Sequence, residues 1–270
     1  MRLGPLAAVL VAASMLASCQ SNPSAPGTPP APQVQMQMPQ APRLQQTEAT
    51  PRQRAEIHVE LAAGYFERGQ MDVSLEELGI AEKIDPTYPR TYNIYGLVYA
   101  TIGEPQKAES NFRRALELAP NDSETRQNWG WYLCTTGRAK ESIAEFEQAI
   151  RNPLYRTPEI ALVNAGKCSV AIGDPSAADQ YFRRALQLRP NDAVAAYNLA
   201  LLSYRGQRYA EARALMRIVM QQSTTPPEAL FLGTCVEQKL GDRQAEESYA
   251  LQLRNRYPES AETKAIGLCP

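Results

Sequence analysis

Five cysteines and one histidine, His58, are the residues of this 270-residue chain whose types could carry side-chain chemistry on their own. Four of the cysteines fall into two pairs of equal spacing: Cys134 to Cys168 is 34 residues, and so is Cys235 to Cys269. The fifth, Cys19, stands alone near the N-terminus, directly after Leu16-Ala17-Ser18. With one histidine a multi-histidine metal site is ruled out, and no CxxC pair supports a zinc site. A Ser-His-Asp triad would have to use His58. No nucleophile elbow, phosphate loop or paired acid cluster stands out, so the chain is expected not to be an enzyme and to need no cofactor or metal. Its 28 basic and 29 acidic side chains nearly cancel. That balance argues against nucleic acid, which needs a clustered basic surface; no small-molecule substrate is expected either.

Cys19 is explained by what precedes it. Arg2 is followed by an apolar run from Leu6 to Leu16, too short to span a bilayer, and then by small residues. Leu16-Ala17-Ser18-Cys19 resembles the lipobox of bacterial lipoproteins. The resemblance implies a signal peptide over residues 1–18 and lipidation of Cys19, with acyl chains (palmitate among them) as the anchor. Several chains exceed the marginal membrane affinity of one. Residues 19–52 change composition abruptly, with prolines at 23, 26, 29, 30, 32, 39, 42 and 51 among Gln, Ser and Ala. Such a segment buries too little apolar surface to offset its ordering entropy, so a disordered tether is expected. Its upper reach is about 100 Å. Met36 and Met38 read as spacer, with a docking motif as the alternative.

The elements that position the other cysteines come from self-similarity. Phe112-Arg113-Arg114-Ala115-Leu116-Glu117-Leu118-Ala119-Pro120-Asn121-Asp122 recurs as Phe182-Arg183-Arg184-Ala185-Leu186-Gln187-Leu188-Arg189-Pro190-Asn191-Asp192, an offset of 70. Two 34-residue periods plus a two-residue insertion near Pro153 and Pro158 account for it. The period and its pattern residues, such as Tyr92, Gly96, Tyr99, Ala108, Phe112, Ala115 and Pro120, closely resemble the tetratricopeptide repeat (TPR), a helix-turn-helix unit. The expected fold is all-α: a TPR superhelix of about six repeats over residues 53–258, at 55–88, 89–122, 123–158, 159–192, 193–225 and a degenerate 226–258. A C-terminal tail or capping helix at 259–270 follows. Small residues (Gly96, Gly130, Gly166) let paired helices approach, and Phe112, Phe146 and Phe182 fill the space between repeats. Pro120 and Pro190 end helices, and Asn121-Asp122 and Asn191-Asp192 offer caps. His58 and Trp129 sit at pattern positions and read as core.

One repeat of spacing brings Cys134 and Cys168 to neighbouring first helices, where a disulfide is expected; Cys235 and Cys269 are a second candidate pair. Buried free thiols are the alternative for both. The face of the stack expected to meet a partner carries Val59, Ala63, Phe66, Asn93, Leu97 and Trp131, an apolar strip suited to a helix or peptide. These residues could instead merely pack between helices. Positions that hold a basic carboxylate clamp in chaperone-binding TPR modules are here Val59, Ala63, Ile94, Glu124 and Asn128, so that mode is not expected.

Lipobox, tether and repeats together resemble the type IV pilus biogenesis lipoproteins of the PilW/PilF family, the pilotins. Asn128-Trp129-Gly130-Trp131-Tyr132-Leu133-Cys134 and Asn164-Ala165-Gly166-Lys167-Cys168 carry the resemblance, with Ala62-Ala63-Gly64-Tyr65-Phe66. It implies a periplasm-facing protein held in the outer membrane by its lipid. There it would bind the pilus secretin and promote its localisation and multimerisation. A TPR lipoprotein that regulates cell-wall synthesis or outer-membrane assembly is the competing expectation.

Overall fold

The computed structural model describes residues 49–269. The signal segment, Cys19 and the tether up to residue 48 lie outside the described residues. Residues 48–270 cluster as one unit, and all its regular structure among the described residues is helical.

Six helical hairpins follow one another: α1 (Pro51–Glu67) with α2 (Met71–Ile84), α3 (Pro89–Thr101) with α4 (Pro105–Leu118), α5 (Ser123–Thr135) with α6 (Ala139–Arg151), α7 (Pro158–Ala171) with α8 (Pro175–Leu188), α9 (Ala193–Arg205) with α10 (Tyr209–Val219), and α11 (Pro227–Leu240) with α12 (Arg243–Arg256). A one-turn helix, α13 (Ala261–Lys264), closes the chain. The first hairpin begins two residues inside the stretch assigned to the tether. Thr50 caps α1 with a reciprocal capping box through Gln53, and that cap outweighs the proline-rich composition upstream. Pro51 costs nothing there, because the first-turn N–H groups have no helical partner anyway.

Local chemistry ends each helix where the period requires. Asp122 accepts from Thr125 N–H at 3.0 Å, and Asp192 from Val194 and Ala195 N–H at 3.0 and 2.9 Å; the aspartates, rather than the asparagines before them, are the caps. Five of the six hairpin turns place a glycine at positive φ, as at Gly137 (85°) and Gly173 (78°). In the fifth hairpin that conformation falls on Gln207, at φ 60°, one residue after Gly206.

Packing follows the small-against-large rule. Phe112, Phe146 and Phe182 are fully buried. A Cβ on Gly96, Gly130 or Gly166 would come within 2.7, 2.9 and 2.5 Å of those rings respectively. In the sixth hairpin Gly233 faces Tyr249, and α12 buries only Ala250 and Leu253, as expected of a degenerate terminal unit. Each first helix touches the next first helix, α1 to α3 and onward to α11, whereas no second helix touches another second helix. The first helices therefore form the inner, concave side of the stack.

Candidate functional site: the concave face

The insertion between the third and fourth repeats makes a six-residue connection, residues 152–157, in which Asn152 donates to Ser123 Oγ at 3.0 Å and Tyr155 packs on the core around Phe146 and Cys168. The register of the first helices survives it. Cys134 in α5 and Cys168 in α7 are joined by a disulfide with Cα atoms 5.9 Å apart. Cys235 in α11 and Cys269 beyond α13 are joined likewise, at 5.3 Å. Both bonds lie on the first-helix side, one mid-stack and one at the C-terminal end.

The six groove residues do not share one environment. Trp131 is 39 % exposed, and the Lys167 ammonium from the next first helix lies 5.9 Å from its ring centroid. Ala63, Phe66 and Leu97 are half-buried against the core of the first two hairpins. Val59 and Asn93 do not face a partner at all. Val59 is 0 % exposed, and Asn93 is 1 % exposed and accepts from Asn128 Nδ2 at 3.2 Å. The reason is geometric: where adjacent first helices touch, a residue near the middle of the contact is covered by its neighbour, whatever face the repeat pattern assigns to it. His58 is half-buried rather than core, with Nδ1 2.6 Å from Glu77 Oε2. Trp129 is core, stacked with Tyr132 and tilted against Phe112.

The open apolar surface continues into later repeats that the sequence reading left out. Ile160 and Val194, second residues of their repeats, are exposed, and Tyr197, Leu201 and Phe231 line a cavity near the C-terminal end. Leu201 is the ninth residue of its repeat, as Leu97 and Trp131 are of theirs, and Tyr197 is the fifth, as Val59 and Asn93 are, so the signal for these two was present; Phe231, a sixth residue, carries no such mark. Tyr197 shows the character of the place: burial pushes its phenol pKa up, and the nearby Glu228 carboxylate adds to the rise.

The outer side is different. Arg183, Arg208, Asp179 and Glu211 interlock across α8 and α10, and Arg138 bridges Glu109 and Glu141. These ion pairs tie neighbouring hairpins together. Among the described residues no group of three metal-ligating side chains gathers, and no helix is long and apolar enough to cross a membrane.

A stack of helical hairpins with an apolar inner strip is the architecture of a protein-binding scaffold. The tetratricopeptide repeat profile matches residues 68–223, and the chain belongs to that family. It is similar to the type IV pilus assembly protein PilF of Pseudomonas aeruginosa, at 28 % identity over 207 residues, 77 % of this chain and 82 % of the relative. The solved structure of that PilF superposes with TM-score 0.75 and 27 % identity, covering 81 % of this chain and 98 % of the other. PilW, described as a widely conserved type IV pilus biogenesis factor, superposes with TM-score 0.71 and 28 % identity over 78 % of this chain and 97 % of its own.

Proposed function

We propose that the chain is a lipid-anchored scaffold of the outer membrane, facing the periplasm, that binds the type IV pilus secretin and promotes its localisation and multimerisation. It acts by binding, with no chemical turnover. The observation that carries this reading is the likeness to PilF and PilW over nearly the whole of both solved structures, at 27 and 28 % identity. The Leu16-Ala17-Ser18-Cys19 segment adds an anchor. A lipid at residue 19 and a tether behind it hold a rigid inner face near the membrane, which raises its effective concentration toward any membrane-assembled partner.

Deletion of the gene tests the reading. Surface pili, twitching and heat-stable secretin multimers in outer-membrane fractions should all fall, and wild-type protein should restore them. Cys19→Ser should leave the folded stack intact but shift secretin out of the outer membrane. Normal pili and normal multimers in the deletion strain would sink the proposal and favour a role in cell-wall synthesis or outer-membrane assembly. Trp131→Ala addresses the groove: its ring is exposed, so lost secretin binding by this variant would not stem from unfolding.

A further inference from the structure

The insertion between the third and fourth hairpins gives that connection a composition unlike the others. Residues 85–88, 119–122 and 189–192 each carry an aspartate, and residues 220–226 carry no charge. Residues 152–157 carry Arg156 and no acid, and Arg151 stands directly before them.

The loop is pinned on both sides of its tip. Asn152 accepts the Leu154 N–H at its Oδ1 (3.0 Å) and the Tyr155 N–H at its carbonyl (3.1 Å), and it donates to Ser123 Oγ at 3.0 Å. Pro153 fixes its own φ, and Tyr155 packs on the core around Phe146. Leu154 stands between these anchors with 85 % of its surface exposed, more than any other large apolar residue described.

A lone exposed leucine needs no explanation. Here Leu188, at the end of α8 and 53 % exposed, lines one hollow with Pro153 and Tyr155, so the apolar tip extends over two elements. Arg151 and Arg156 are both exposed, and neither pairs with another described residue. The acids nearest in sequence are already engaged. Glu159 is buried and accepts from Arg189 at 3.1 Å, and Glu147 accepts from Arg184 at 3.3 Å.

Form and charge select the occupant. A stable protein interface takes about 20–30 residues a side, whereas the apolar part of this tip is Pro153, Leu154 and Leu188. A lipid surface asks for less: apolar side chains that enter the interfacial layer, and cations that meet anionic head groups. Each arginine near such a surface strengthens attachment about fivefold.

We propose that the 152–157 loop is a membrane contact. Leu154 and Leu188 enter the interfacial layer of an anionic bilayer, and Arg151 and Arg156 meet its phosphate groups. The contact lies at helix ends, where α6 hands over to α7, and leaves the length of the first-helix face open. By itself it is weak. Its effect is to set how the folded stack sits at a surface to which an anchor already holds it, and that effect alone rests on the lipid-anchored reading.

The test uses residues 48–270, the compact unit that holds every helix, hydrophobic cluster and disulfide described. It is sedimented with vesicles of phosphatidylethanolamine and phosphatidylglycerol in equal parts, or of phosphatidylcholine alone. The unit should bind the anionic vesicles at least tenfold more tightly, and about 0.5 M salt should remove the difference. Arg151→Glu/Arg156→Glu and Leu154→Asp should each lose at least tenfold on anionic vesicles. Their thermal transitions should not move, because these side chains have no partner to lose. Ile57→Asp, at a residue 57 % exposed on α1, should bind as the parent does. Leu154→Trp should gain emission that lipids brominated on their acyl chains quench.

Equal binding to both vesicle types overturns the proposal, as does unchanged binding by Arg151→Glu/Arg156→Glu or by Leu154→Asp. So does an equal loss in Ile57→Asp, or Leu154→Trp emission indifferent to brominated lipid. Vesicles that capture nothing, with pili lost in cells carrying Leu154→Asp, would make the loop a protein contact instead. A dimer of the parent that Leu154→Asp splits would make it a contact between copies. Neither a secretin nor an acyl chain on the protein is present, so failure here leaves the pilus reading standing, and normal pili in a deletion strain would leave this contact standing.

Discussion

A missing methyl group sets the spacing of each middle hairpin. At Gly166 an added Cβ would lie 2.5 Å from the Phe182 ring, which is itself fully buried and cannot retreat. Gly166→Ala should therefore cost about 1–3 kcal/mol in urea unfolding, and adding Phe182→Leu should recover part of the loss. Gln207 offers the opposite case. It holds a left-handed conformation that disfavours a side chain, so Gln207→Gly should raise the unfolding free energy by about 0.5–1 kcal/mol. Four carboxylates, Asp85, Glu109, Glu141 and Glu211, are held below their ordinary pKa and set the acid limb. Hydrogen bonds from Thr87 lower the Asp85 pKa against opposing burial, and Arg52 lowers it further. Burial opposes ionisation of Glu211, but hydrogen bonds from Arg183, Arg208 and Ser203 outweigh it and lower its pKa. A folded pKa below the unfolded value means stability that is present above the ordinary carboxylate range, near 4, and lost as pH falls through the folded value. The denaturation midpoint should drop below about pH 4, with a shallower drop in Glu211→Gln; equal slopes for the two proteins would show that Glu211 is not part of the acid limb.

At the scale of elements, the disulfides and caps carry distinct loads. The Cys134–Cys168 bond closes a loop of 34 residues, worth about 3–4 kcal/mol of chain entropy in the unfolded state. Cys134→Ser/Cys168→Ser should lose about that much, read by urea unfolding, with non-reducing peptide mass spectrometry confirming the bond in the parent. Asp192→Ala removes two accepted N–H bonds at the start of α9 and should cost about 1 kcal/mol. Much of this was legible beforehand. The period fixed the hairpins, Gly96 and Phe112 declared the packing, and the 34-residue cysteine spacing placed Cys134 beside Cys168. Other features depend on contacts that no local pattern encodes. Val59 and Asn93 hold groove positions, yet the adjoining helix covers them. The Cys235–Cys269 pair was marked by the same 34-residue spacing, but the path of residues 261–269 back onto α11 was not legible, because they lie past the last repeat. The start of α1 was obscured by Pro51, whose composition reads as tether but whose position suits a helix start.

For the whole molecule, no hairpin can bury its apolar face alone, so stability is carried by interfaces between neighbours. The inner helices touch along the full stack, and the outer ones are separated from each other. Bending is therefore cheapest where outer helices spread apart, much as a stack of hinged plates fans open on its free side. The Cys134–Cys168 bond rivets one of those hinges on its inner edge, at the joint lengthened by residues 152–157. Elastic adjustment to any bound protein is then concentrated in the joints on either side of that rivet, and the molecule flexes as two short springs about a stiff centre.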